Sequence, residues 1–247
     1  MPGPHADMIE IATEGNVRWL TLARPAAANA LDQATCSALA GALQQAAQDP
    51  AIGAAVLAAA GDRAFCAGAD LKEFAELPKA EAAQRRRALL MDVLYALLDF
   101  PKPLLACVQA PAVGAGAMLA LACDEIVMAE QAWLSLPEIR LGMPSPVGAA
   151  IVAQRAPRAM VQRLVQAGER VDAGQALQAG LIDHLAPAQA LRDHCAGLAR
   201  ARGAQAGHAY AVNKRWLNRD LRQHLARAAE AATLAGQPAP SPRPQET

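Results

Sequence analysis

Three short apolar runs constrain this chain more than any other feature. They are Ile52–Ala59, Leu104–Val108 and Glu125–Ala129. The first is bounded by Pro50 and Gly61. Each is long enough for a buried strand and shorter than an ordinary helix. Between and before them lie segments of helical composition. Asp32 is placed to cap a helix over Gln33–Gln48, Lys79–Phe100 is helical until Pro101 stops it, and Gly114–Ala122 is a helix entered through small residues. Ahead of all this, Met8–Ala12 and Val17–Leu22 flank Glu14-Gly15-Asn16, the pattern of a hairpin, and Arg24-Pro25 ends its second strand. Strands thus alternate with helices through the first half, which predicts an α/β core. From Val147 onward helices dominate: Val147–Arg155, Arg158–Ala167, Ala173–Gln178, Ala188–Ala201 and Asn213–Leu234, with a short strand at Leu181–Leu185. The Pro-rich stretch Gln237–Thr247 is expected to be disordered.

Composition removes several function classes. The 247 residues carry 23 Lys+Arg and 23 Asp+Glu, so the basic excess of a phosphate-contacting nucleic-acid binder is missing. Aromatics are 3%, too few for a base-stacking platform. The longest apolar run, Ala112–Cys123, is too short for a bilayer, and no secretory signal is visible in Met1-Pro2-Gly3-Pro4-His5. Five widely spaced cysteines without a C-x-x-C pair suit a reducing, cytoplasmic setting. No G-x-S-x-G or Walker A motif occurs, and Gly114-Ala115-Gly116 lacks the third glycine of a dinucleotide fingerprint. The five histidines have no metal-ligand spacing. Arg85-Arg86-Arg87 reads as a solvated helix face, with an anion site as the less ordinary alternative.

Two segments stand out. Ala64-Phe65-Cys66-Ala67-Gly68-Ala69-Asp70-Leu71 follows a buried strand and precedes a helix-like stretch. Pro111-Ala112-Val113-Gly114-Ala115-Gly116-Ala117 does the same at the next strand. Small residues let backbone N–H groups come close to a ligand, so the two segments could converge on one oxygen as an oxyanion hole. Each taken alone is also compatible with a tight strand–helix turn.

In combination these segments resemble the enoyl-CoA hydratase/isomerase (crotonase) superfamily. The resemblance rests on an ordered set: Arg24-Pro25 with Asn29-Ala30-Leu31, Ala64–Leu71 with Lys72-Glu73-Phe74, Lys102-Pro103, Gly114–Asp124, Pro137-Glu138-Ile139 with Leu141-Gly142, and Ala176-Leu177 with Gly180-Leu181-Ile182. It implies a spiral of ββα turns over residues 1–186 and a helical trimerisation region over 187–236. It also implies an acyl-CoA thioester substrate and a homotrimer or dimer of trimers. Coenzyme A arrives as part of the substrate, so no separate cofactor or metal is implied.

Carried over position by position, the oxyanion amides fall on Ala69 and Ala115, flanked by Ala67, Gly68, Asp70, Leu71 and Gly114. Ala is acceptable at 115 if its φ is negative, because only its N–H is used. Arg24 and Lys72 are candidates for contacts to the CoA phosphates, and Asp70 for orienting its loop. Hydratases of this family use two glutamates. The position of one is Met118 here, which transfers no proton; the other is Glu138. A single glutamate resembles the family's isomerases, in which one base moves a proton from C2 to C4 of a 3-enoyl-CoA. Hydration or another crotonase reaction through Glu138 and water, and a non-catalytic acyl-CoA-binding or scaffold protein, are the competing readings.

Overall fold

The computed structural model describes residues 8–205 and 207–235. The expectation for the tail at 237–247 lies outside the described residues. The chain opens with the hairpin β1 (Ile9–Glu14) and β2 (Val17–Leu22), turning at Gly15 with φ +62°. Helix α1 (Gln33–Gln48) follows, and the Asp32 carboxylate accepts from Thr35 N at 2.8 Å as its cap. Its other end is held by Lys102, whose Nζ donates to the carbonyls of Ala46 and Asp49 at 2.8 and 2.7 Å. Strand β3 (Ala54–Ala59), helix α2 (Lys79–Asp99) and strand β4 (Leu104–Val108) come next. They are followed by β5 (Ala112–Val113), α3 (Ala115–Leu121), β6 (Glu125–Ala129) and β7 (Trp133–Ser135). Then come α4 (Pro146–Arg155), α5 (Arg158–Val161), β8 (Arg170–Asp172), α6 (Ala173–Gln178) and β9 (His184–Ala186). Two helices close the described chain, α7 (Leu191–Gln205) and α8 (His208–Ala235).

The large sheet has the order β1-β2-β3-β4-β6-β9, parallel from β2 onward. Its inner strands are buried along their length, which is why they read as continuous apolar runs. A second layer supplies the other strand of each ββα turn, in strands too short to stand out in the sequence. It consists of β5, β7 and β8, and single bridges extend it backward, Leu31 beside Ala69 and Cys66 beside Ala112. Each successive turn therefore adds a strand to the large sheet and a short extended segment to the small one before entering a helix, which is the ββα spiral.

Other departures are local. The stretch after Leu71 forms turns, while α2 begins at Lys79, the expected position. The helix expected over Arg158–Ala167 is α5 followed by a π-helical turn, Gln162–Gln166. The last strand starts at His184, because Gly180 turns the chain at φ +75° and drops Leu181 and Ile182 into the core instead. Among the described residues no helix is long and apolar enough to cross a membrane. All five cysteines are buried thiols.

Candidate active site

The first loop is built on Asn29. This residue is buried and holds φ at +55°, a conformation Asn tolerates better than most side chains. Its Oδ1 accepts from Arg24 N at 3.0 Å, and its Nδ2 donates to the carbonyls of Ala60 and Ala64 at 2.9 and 3.0 Å. The 28–31 segment fixed in this way then engages alternate groups of the loop beside it. Ala67 N donates to Ala28 O, Leu31 N to Gly68 O, and Asp70 N to Leu31 O, at 2.8 to 3.0 Å. The amide of Ala69 faces the other way and has no acceptor among the described residues. Gly68, at φ +100°, makes that reversal possible.

The second loop is fixed by the small sheet. Val113 N donates to Cys66 O at 2.9 Å, and Gly114 N donates to Ser135 O at 2.8 Å. Gly114 has φ +55° and ψ −124°, which only glycine adopts readily, and α3 starts immediately after it. The left-handed φ falls on Gly114, so Ala115 meets its requirement of a negative φ. As the first helical residue, Ala115 has an N–H that the helix cannot pair. The two loops touch through glycine. A Cβ on Gly68 would lie 3.0 Å from Val113 O and 3.5 Å from Ala115 N, and one on Gly116 would lie 2.6 Å from Cys66 Cβ.

Both amides open onto a cleft of about 900 Å³, a size suited to a small-molecule substrate. Ala67, Gly68, Ala69, Leu71, Gly114, Ala115, Met118 and Glu138 all line it. Glu138 comes from a 3-10 turn, Pro137–Leu141, just beyond β7. Its Oε1 would be 2.9 Å from a Cβ on Gly114, so the carboxylate fits only because residue 114 has none. Its Oε2 is buried with no hydrogen-bond partner among the described residues. Burial holds the Glu138 carboxyl above the usual carboxylate range. Among the described residues no other Asp or Glu lines the cleft, and Met118, 3% exposed, fills the wall one turn into α3. The arrangement offers two fixed N–H donors for a developing oxyanion and one carboxylate that can carry a proton.

Arg24, Asp70 and Lys72 are not brought into the cleft. The Arg24 guanidinium lies between the carboxylates of Asp32 and Asp70, at 3.0 and 3.2 Å, and also donates to Ala30 O. Asp70 in addition accepts from Lys72 N at 3.1 Å. Both residues brace the first loop, while the Lys72 side chain is exposed outside the cleft. The sequence reading missed several cleft residues: Phe74, Lys79, Arg86 and Arg87 on one side, Met143 on the other, and Ala232 with Thr233 from the end of α8. The one available signal is the Arg85–Arg87 run, for which the sequence offers an anion site as the alternative to a solvated face.

The chain is similar to known proteins over most of its length. Residues 12–236 match the family model described as enoyl-CoA hydratase/isomerase. The chain is 39% identical over 190 residues to the 2,3-dehydroadipyl-CoA hydratase of Escherichia coli (strain K12), covering 76% of this chain and 73% of that one. It is 34% identical over 194 residues to the carnitinyl-CoA dehydratase of Proteus mirabilis (strain HI4320), covering 77% and 72%. Among solved structures, an enoyl-CoA hydratase from Mycobacterium smegmatis superposes with a TM-score of 0.81 at 30% identity, covering 95% of this chain and 92% of that one.

Proposed function

The chain belongs to the enoyl-CoA hydratase/isomerase family, and from that premise we propose that it shifts the double bond of a 3-enoyl-CoA thioester with Glu138 as its sole proton carrier. The thioester oxygen sits between the amides of Ala69 and Ala115. The Glu138 carboxylate removes a proton from C2, and the electron pair passes into a dienolate whose oxygen carries the negative charge. The same proton returns at C4, leaving a 2-enoyl-CoA and a regenerated carboxylate. A carboxyl raised by burial is the better base for taking and returning that proton.

One observation carries this reading. Among the described residues Glu138 is the only carboxylate in the cleft and has an unpartnered oxygen, while Met118 occupies the wall where a second acid would be needed to divide a water between two bases. A hydration reading draws its support from the hydratase and dehydratase relatives, and in it Glu138 would activate water alone.

Product analysis with matched 2-enoyl-, 3-enoyl- and 3-hydroxyacyl-CoA esters separates the two. We expect isomerisation to dominate in the wild type and to fall by about 10²–10⁴-fold in Glu138→Gln, with CoA binding nearly intact. Met118→Glu is expected to gain weak hydration, limited by the cost of ionising a carboxylate in a pocket shaped for a thioether. Wild-type isomerisation no faster than that of Glu138→Gln would remove the proposed role, and efficient hydration of crotonyl-CoA by the wild type would favour the second reading.

A further inference from the structure

We propose that Arg86 recognises a second anionic group on the acyl chain, a carboxylate at its far end, so that the preferred substrates are CoA thioesters of short dicarboxylic acids. This rests on the acyl-CoA reading above and adds the class of acyl group.

The cleft is electrically unbalanced. Among the described residues Lys79, Arg86 and Arg87 line it, against Glu138 alone. The three neighbouring arginines of α2 have different surroundings. Arg85 is exposed, pairs with Glu81 at 2.8 Å and lies over the Phe74 ring. Arg87 donates to Thr233 Oγ1 at 3.0 Å, tying α2 to α8. Arg86 is half-buried and makes no hydrogen bond or ion pair among the described residues. Its neighbours are Leu31, Leu89 and Leu90. Withdrawing a guanidinium from water without a counter-ion is unfavourable, so a bound anion is the natural complement.

The place of Arg86 indicates which anion. Besides the cleft, it lines a void of about 10 Å³ shared with Ala69 and Ala115, the two residues whose amides anchor the thioester oxygen. The CoA phosphates are held away from the thioester by the whole pantetheine arm. An anion that reaches Arg86 while the carbonyl is anchored therefore belongs to the acyl side. A carboxylate a few methylenes from the carbonyl meets both conditions, with the apolar wall around Leu90 and Met143 taking the methylenes. The planar guanidinium offers it a two-pronged hydrogen bond.

The test is calorimetric binding of unreactive saturated esters to the full chain. Adipyl-CoA is compared with hexanoyl-CoA, and glutaryl-CoA with pentanoyl-CoA, with free CoA as reference. The wild type should prefer the dicarboxylic member of a pair by about 10- to 100-fold, the range of a charge-assisted hydrogen bond. Arg86→Gln should bring that ratio close to one, Arg86→Lys should retain part of it, and Arg85→Gln should leave it as in the wild type. Equal affinities in the wild type overturn the proposal. So does an Arg86→Gln variant that weakens both members and free CoA alike, which would make the guanidinium a CoA contact. A turnover loss in Arg86→Gln with the affinity ratio unchanged also overturns it, because the charge would then serve the oxyanion. Since the probes need not react, a failed isomerase assay leaves this test standing, whereas failure of every ester to bind removes both readings.

Discussion

Gly116→Ala tests whether the pairing of the two loops makes the site. Gly116 is the second residue of α3, and a Cβ there would lie 2.6 Å from Cys66 Cβ and 2.8 Å from Cys66 C, and closer still to the Cys66 carbonyl oxygen. Ordinary van der Waals contact begins at about 3.4 Å, so the helix and the loop segment at Cys66 must separate by close to 1 Å. Cys66 cannot yield easily, because it is fully buried and its carbonyl already accepts from Val113 N. Every residue of α3 is buried, so the short helix moves as a unit and takes the Ala115 amide with it. Overpacking of this kind costs roughly 1–3 kcal/mol, which a chain of this size can absorb. A misplacement of about 1 Å at reacting groups costs on the order of 10²-fold in rate, and loss of one oxyanion donor costs ~10²–10³-fold. We therefore expect kcat/KM to fall by about 100-fold or more, with circular dichroism unchanged and a Tm drop of roughly 2–10 °C. Gly41→Ala is the control: nothing lies within 4 Å of a Cβ there. It should leave turnover unchanged and raise stability by about 0.5–1 kcal/mol. A Gly116→Ala enzyme within about threefold of the wild type in kcat/KM would refute the reasoning.

Asn29→Ala strands the Ala60 carbonyl and the Arg24 amide, leaves Ala64 O only the 3.5 Å bond from Gln109 Nε2, and asks alanine to hold φ +55°. Urea denaturation should show a loss of at least about 2 kcal/mol, and a loss below about 0.5 would mean the loop is braced elsewhere. Glu138→Gln should stabilise the fold at neutral pH while lowering activity. Because burial raises the folded carboxyl, the native state holds its proton over a pH range where the unfolded chain has released it, so wild-type stability falls as pH rises through the folded value. The advantage of the Gln variant should vanish in acid, below the unfolded carboxyl value, and an advantage independent of pH would contradict the assignment of the shift. Val212, Trp216 and Leu217 lie exposed on α8, Trp216 at 64% and Leu217 at 67%. Burying them requires a partner surface, so sedimentation at micromolar concentration should show a trimer or a dimer of trimers, and a lone monomer would refute this.

The large sheet was legible because strands covered on both faces, such as Leu104–Val108, carry an unmistakable apolar run. The small sheet was not, since Ala112–Val113, Trp133–Ser135 and Arg170–Asp172 are too short for any period to develop. The loops at Ala69 and Ala115 could be located from their small residues, and Glu138 and Met118 by family position. Arg24 misled for a physical reason: its use depends on Asp32 and Asp70 folding around it, which no local pattern announces. Arg86 was hidden in the opposite way. A run of three arginines on one helix looks uniform in sequence, and only the packing of α2 over the cleft separates the paired member, the tethered one and the one without a partner among the described residues.

The order of strands in the large sheet has a consequence for biosynthesis. From β1 to β9 each new strand joins the edge left by the preceding ones, so the sheet can be laid down in the order in which the chain leaves the ribosome. Once β7 has emerged and Ser135 O holds Gly114 N, the amides of Ala69 and Ala115 can already be in place. The cleft beside them is finished much later, since part of its wall is Ala232 and Thr233 near the end of α8. A nascent chain would thus carry these two amides in a half-open site while the segments from β8 to α7 are made, and the enclosed cleft becomes available only after α8 has followed.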